Sequence, residues 1–219
     1  MLRGFYAIVD VSFQQLGLDG ELLCQSLQQQ TEAILAAEPC MLQLRAKGAT
    51  PAQLLRWALA LKPLCRQRGV PFCVNDRLDV ALAVGADAVH LGQDDLPLEA
   101  ALRVLGGGPT MQIGISTHNA AQAVAAAAAG AHYLGFGPVF PTISKQNPDP
   151  VVGLQALAEV VKLVAIPVVA IGGITLESVQ TVAKTGAAAA AVISAVLRAP
   201  DPADAGRQIK LAFEDASAG

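Results

Sequence analysis

Short apolar runs recur along the chain, each broken by Gly or polar residues and followed by a longer stretch with helical spacing. The runs are FYAIVD (5–10), CMLQLR (40–45), FCVN (72–75), AVHLG (88–92), QIGIS (112–116), HYLGFG (132–137), PVVAIGG (167–173) and AAAVIS (189–194). Strand-like runs that alternate with helical ones imply βαβ units and a parallel sheet. Eight such pairs in 219 residues predict an α/β fold, a (β/α)8 TIM barrel at the small end of its usual size, with a doubly wound open sheet as the alternative. One barrel domain over residues 1–219 is the expectation, although length alone does not exclude two.

The helical stretches carry their own punctuation. Thr50-Pro51 offers an N-cap and a first-turn proline, Leu54, Leu55, Ala58, Leu61 and Leu64 or Cys65 form a stripe, and Gly69 marks the end, with Pro63 expected to kink the last turns. Further helices are predicted at 119–131, 154–165 and 175–187, several closing on Gly-Ala just before a strand. The Gln-rich stretch around 20–37 and the alanine-rich eighth strand have the least distinctive patterns; the alanines suit a helix equally well. From Ala199 onward a Pro-marked loop and a final helix follow.

One segment fits neither period. After YLGFGPVF comes FPTISKQNPDPVVG, Phe140 to Gly153, rich in hydroxyls and prolines. Long loops without structure of their own are uncommon inside compact domains and usually bind something, so this one is read as a lid.

Composition narrows the function classes. With 53% hydrophobic and 15% charged residues the chain is apolar for a globular protein, yet no apolar run reaches the roughly 20 residues of a membrane span. MLRGFYAIVD has too short an apolar core for a signal peptide, so a cytoplasmic address is expected. Cys24, Cys40, Cys65 and Cys73 form no C-x-x-C pair and are read as reduced core residues. A net charge of −3 and few aromatics argue against a nucleic-acid surface, while small anions remain possible ligands of a local basic cluster. A homodimer is a base-rate expectation only.

In a barrel of this type, functional groups sit at the C-terminal ends of the strands. Just beyond the apolar runs lie Gln43, Arg45 and Lys47; Asn75 and Asp76; Gln93, Asp94 and Asp95; Ser116, Thr117 and His118; Thr142, Ser144 and Lys145; Gly172 and Gly173; and Ile193 and Ser194. All are expected to converge. Asp76 and Asp95, at neighbouring strand tips, suit one hard cation such as Mg²⁺, or else each caps the helix that follows. Arg45 and Lys47 alternate and so project the same way; with Lys145 they suit a diphosphate bridged by Mg²⁺. Gly172-Gly173 and the Ile193-Ser194 turn offer a second anion site, or simply a tight turn. His118 is a candidate polar contact or acid–base group, whereas His90 and His132 fall inside strand patterns and are read as packed.

In order along nearly the whole chain, LQLRAKG, VNDRLDVALAVGADAVHLGQDD, IGISTH, GPVFPTISK, VVAIGGIT and VISAV resemble the thiamine phosphate synthase family. The resemblance implies a barrel transferase of thiamine biosynthesis that joins hydroxymethylpyrimidine diphosphate to thiazole phosphate, releasing pyrophosphate with Mg²⁺. It implies that Gln43, Arg45, Lys47, Asn75, Ser116 and Lys145 surround the pyrimidine diphosphate, Arg45, Lys47, Lys145 and Ser116 being the catalytic set. Asp76 and Asp95 would bind Mg²⁺, and Thr142, Ser144, Gly173, Ile193 and Ser194 would contact the thiazole phosphate. Two departures stand out: TISK replaces the commoner Thr-x-Thr-Lys, and LRAK carries Ala46 where Glu is more frequent, a position expected to point away from the site. The alternatives are the similar thiazole tautomerases, which use a His at the position of His118, and a non-catalytic barrel that only binds phosphate esters.

Overall fold

Eight strands, β1 (Gly4–Asp10), β2 (Met41–Arg45), β3 (Phe72–Asn75), β4 (Ala88–Leu91), β5 (Gln112–Thr117), β6 (Tyr133–Phe136), β7 (Val168–Ala170) and β8 (Ala189–Val192), pair in chain order, all parallel, and β8 returns to β1 to close a barrel. The computed structural model describes residues 2–13, 20–106, 111–142 and 149–217. Around the barrel run α1 (Gly20–Leu35), α2 (Pro51–Gln67), α3 (Leu78–Val84), α4 (Leu98–Leu105), α5 (Ala120–Ala128), α6 (Gly153–Leu163), α7 (Leu176–Ala183), the short α8 (Ser194–Leu197) and α9 (Pro202–Ser217). The closed order is a (β/α)8 TIM barrel and rules out the open doubly wound sheet. No helix among the described residues is long and apolar enough to cross a membrane.

Strand alternation sorts the core into two layers. Phe5, Val9, Leu42, Leu44, Phe72, Val74, Val89, Ile113 and Leu134 face outward and pack under the helices in one large buried cluster. Tyr6, Met41, Cys73, Ala88, Tyr133, Val169, Ala189 and Ala191 face inward and fill the barrel. The alanines of the eighth run are thus strand residues: paired with Gly4, Phe5, Tyr6 and Ala7 of β1, Ala189–Val192 leaves room inside for the two tyrosines. Without large side chains of their own they take their conformation from the ring closure rather than from propensity.

Local signals operate where the sequence places them. Thr50 caps α2 in a reciprocal box with Gln53, Asn119 caps α5 by accepting from the Gln122 amide at 2.9 Å, and the Thr175 amide donates to Ser178 Oγ at 2.9 Å. α2 runs through Pro63 and ends at Gln67, with Gly69 just beyond; its buried stripe also includes Trp57. Gly85, Gly130 and Gly186 each precede an alanine leading into the next strand.

Two readings need correction. His132 is exposed rather than packed, its Nδ1 accepting from the Ile113 amide at 3.0 Å. Cys40 is half-buried, while Cys24, Cys65 and Cys73 are core residues; all four are free thiols.

Candidate functional site

The inward parity that fills the barrel continues to the C-terminal strand ends, where it turns from apolar to polar. Along β1 it runs Tyr6, Ile8, Asp10, and along β2 Met41, Gln43, Arg45; Asn75, His90, Ser116, Ile171 and Ile193 end the same inward rows elsewhere. These ends open into a cleft of about 430 Å³. Gln43, Arg45, Lys47, Asn75, Asp76, Asp95, Ser116, Thr142, Gly173, Ile193 and Ser194 all line it, as do Gln93, Asp94, His118 and Gly172. Ser144 and Lys145 lie outside the described residues, as does the middle of the segment read as a lid, 143–148.

Thr117 does not join them. It has the opposite parity to Ser116, is fully buried, and donates its hydroxyl to the Gly135 carbonyl at 3.1 Å. Ala46 likewise points away, packing on the outer apolar layer.

The charges in the cleft are arranged in pairs. Arg45, only 14% exposed, donates through Nη1 to the wholly buried Asp10 on the neighbouring strand, and Lys47 pairs with Asp76. Neither Asp76 nor Asp95 caps a helix: Arg77 and Pro97 occupy the N-cap positions of α3 and α4. Instead the two carboxyl groups meet. Burial, followed by a hydrogen bond that the Asp95 carboxyl donates to Asp76, raises the Asp95 pKa, and the Gly92 amide holds Asp95 Oδ2 at 2.7 Å. Two carboxyl groups close enough to share a proton are close enough to share a cation, and their oxygens suit a hard divalent ion such as Mg²⁺. Among the described residues no cluster of three or more metal-binding side chains forms, so remaining ligands would come from substrate or water. Asp76 adopts φ of 64°, an uncommon conformation for a residue with a side chain, while its amide donates to the His90 carbonyl at 2.8 Å.

Beneath the charges lies a hydrogen-bonded floor that strand-end reasoning misses. Gln43 Nε2 donates to Tyr6 Oη at 2.9 Å, the hydroxyls of Tyr6 and Tyr133 are 3.2 Å apart, and His90 bridges Tyr133 Oη (3.2 Å from Nδ1) and Ser116 Oγ (2.9 Å from Nε2). Burial lowers the His90 pKa to about 4, the nearby Asp95 offsetting only part, so its imidazole is neutral at pH 7. Burial likewise raises both tyrosine pKa values, keeping the phenols protonated. The floor therefore carries no charge. Room for it comes from Gly114, the ladder partner of Tyr133, because any Cβ there would collide with the tyrosine ring.

The opposite flank is set by the turn after β7. Gly173 has φ of +66°, and a Cβ there would lie 2.9 Å from the Phe140 carbonyl oxygen and closer still to its neighbours. The Phe140 amide donates to the Gly172 carbonyl at 3.1 Å, so this turn and the first residues of the β6 loop are one packed unit. His118 is held on the rim, its Nδ1 2.6 Å from the Gly137 carbonyl and its Nε2 3.4 Å from Asp149. Asp149 gave no sequence signal, since it belongs to a loop of no period.

Comparison with known proteins follows the same lines. The family model described as thiamine monophosphate synthase matches residues 18–196. The thiamine-phosphate synthase of Chlorobium phaeovibrioides is 53% identical over 162 residues, 74% of this chain and 77% of that protein. That of Chlorobium limicola is 48% identical over 169 residues, covering 77% and 80%. The solved thiamine phosphate pyrophosphorylase from Pyrococcus furiosus superposes with a TM-score of 0.84 at 35% identity, covering 97% of this chain and 96% of that one.

Proposed function

The chain belongs to the thiamine monophosphate synthase family, and from that premise we propose how its cleft carries out the transfer that makes thiamine phosphate. The protein is a transferase acting on small molecules. The substrates of the proposed reaction are 4-amino-2-methyl-5-hydroxymethylpyrimidine diphosphate and thiazole phosphate, and the products are thiamine phosphate and pyrophosphate.

The observation that carries the reading is the sharing of one cleft by two cations, a pair of carboxyl groups and the glycine turn after β7. Arg45 and Lys47 face the diphosphate, Arg45 as a planar fork and Lys47 as a point charge, with Lys145 joining them from the loop. Asp76 and Asp95 are the groups that would hold Mg²⁺, which when bound supplies positive charge to the diphosphate oxygens. Gln43 and Asn75 bind the pyrimidine, and the uncharged floor beneath them leaves the ring free to delocalise positive charge. Ser116, fixed by His90, presents a hydroxyl to the reacting end. Gly173, Ile193, Ser194, Thr142 and Ser144 seat the thiazole phosphate on the other flank.

The C–O bond to the diphosphate breaks with its electron pair leaving on pyrophosphate, and the thiazole nitrogen forms the new bond to the exocyclic methylene carbon. No side chain serves as nucleophile or general base in this scheme. Positioning and electrostatic stabilisation of the leaving group account for the acceleration.

The test is purified protein with both substrates, with and without Mg²⁺, assayed for pyrophosphate. Release that requires both substrates and Mg²⁺, and that falls on Asp76→Asn or Asp95→Asn, is the expected result. Release independent of the metal and unchanged in both variants would overturn the assignment of the acidic pair.

A further inference from the structure

Asp10 lies outside the set of strand-end groups read from the sequence, and although it ends the inward row of β1 it is not among the residues that line the cleft. Its side chain is wholly buried at the C-terminal end of β1, directly opposite Arg45 in the β1–β2 ladder. The two carboxylate oxygens divide their work. Oδ1 accepts from the Ser12 amide at 3.0 Å and from the Ser12 hydroxyl at 2.8 Å, while Oδ2 accepts from Arg45 Nη1. A carboxylate so buried is costly unless paired, and Arg45 is the cation that pairs it. Yet Arg45 also lines the cleft, with 14% of its side chain exposed. The guanidinium is thereby pinned at one nitrogen while the residue still reaches the cleft.

We propose that Asp10 is a positioning residue for catalysis, holding the Arg45 guanidinium at the angle from which its remaining N–H groups meet the substrate diphosphate. The inference rests on the placement of Arg45 at the diphosphate. An arginine carries several rotatable bonds, and without an anchor the fork would sample many orientations, only a few of them matching phosphate oxygens. Ser12 fixes Asp10 in turn, so the whole arrangement is set by the turn Val11–Phe13 at the exit of β1.

Asp10→Asn is the informative change. Asn keeps the size but has one acceptor oxygen, so either Arg45 or Ser12 loses its partner and meets an N–H instead. Kinetics of the wild type, Asp10→Asn, Arg45→Met, the double variant and Ser12→Ala test the proposal, with titration of inorganic pyrophosphate by calorimetry counting folded sites through its stoichiometry. Asp10→Asn should lower kcat/KM for the pyrimidine diphosphate roughly 10- to 100-fold, the scale expected for a misplaced binding group. It should leave KM for thiazole phosphate within about twofold and add nothing in the Arg45→Met background. Ser12→Ala, which removes only the hydroxyl bond, should retain most activity.

A merely structural ion pair would behave differently. Asp10→Asn would then reduce the number of pyrophosphate sites at unchanged affinity, or multiply the loss in the Arg45→Met background, and either result overturns the proposal. If Arg45→Met itself leaves kcat/KM intact, the placement of Arg45 at the diphosphate fails first, and the role of Asp10 falls with it.

Discussion

Gly114→Ala tests whether the floor of the site is packed as described. The added methyl would lie 2.5 Å from the Tyr133 hydroxyl oxygen and nearer still to the ring, against an ordinary contact of about 3.5–4 Å. Tyr133 is 1% exposed, so its ring has no open space to enter. Overpacking of this kind costs about 1–3 kcal/mol. Displacing the ring also breaks the contacts of its hydroxyl with Tyr6 and His90, and an unsatisfied buried hydroxyl costs about 1–3 kcal/mol more. Alanine recovers roughly 0.5–1 kcal/mol in a strand relative to glycine. The expected net loss is about 1–5 kcal/mol, a fall in Tm of roughly 2–20 °C for a chain of this length. Melting followed by circular dichroism measures it. The mechanism is checked by Tyr133→Leu, which removes the colliding atoms: the double variant should be more stable than the two single losses predict by at least about 1 kcal/mol. A Gly114→Ala protein melting within about a degree of the parent, or strict additivity in the double variant, would refute the packing argument.

Two further expectations concern ionisation. His90 is buried with its pKa lowered to about 4, so below the unfolded value near 6.5 the unfolded chain binds a proton that the folded chain refuses. Its contribution is therefore fully present above pH 6.5 and lost as pH falls toward 4, amounting to roughly 3 kcal/mol; urea unfolding at pH 7 and pH 4 should show a shallower pH dependence in His90→Asn, and an unchanged dependence would exclude this group. Burial pushes the Cys65 thiol up to about 12 and that of Cys73 to about 11, so iodoacetamide at pH 8 should spare both in the folded protein and modify both in urea. Rapid labelling of Cys65 under native conditions would contradict its place in the core.

Much of this was legible in the sequence because a barrel strand ends where its apolar run ends. Gln43, Arg45, Asn75 and Ser116 were visible as polar residues at those ends, and the structure brings them into one cleft. Tyr6, His90 and Tyr133 were not. They sit within runs buried on both faces, where strand sequences lose the alternation that tells inward from outward. Ring closure supplies the missing parity, and the same parity removes Thr117 from the site. Asp10 ended its run as plainly as Arg45 did, but its significance depends on the ladder that sets the two side by side. Whether Asp76 and Asp95 cap helices or face each other was undecidable from spacing, since a carboxylate at a helix start satisfies both descriptions. Trp57 escaped the helical stripe read from leucines, although it is buried beside Leu54 and Leu61.

The backbone at Asp76 constrains which amino acids can ever stand there. At φ of 64° the position accepts asparagine readily, tolerates glycine, and disfavours longer or branched side chains, glutamate included. A drifting lineage could thus reach the isosteric neutral residue with little harm to folding, while the replacement that preserves negative charge would meet resistance from the main chain. Variation at this point of the barrel is channelled toward losing the carboxylate outright rather than lengthening it.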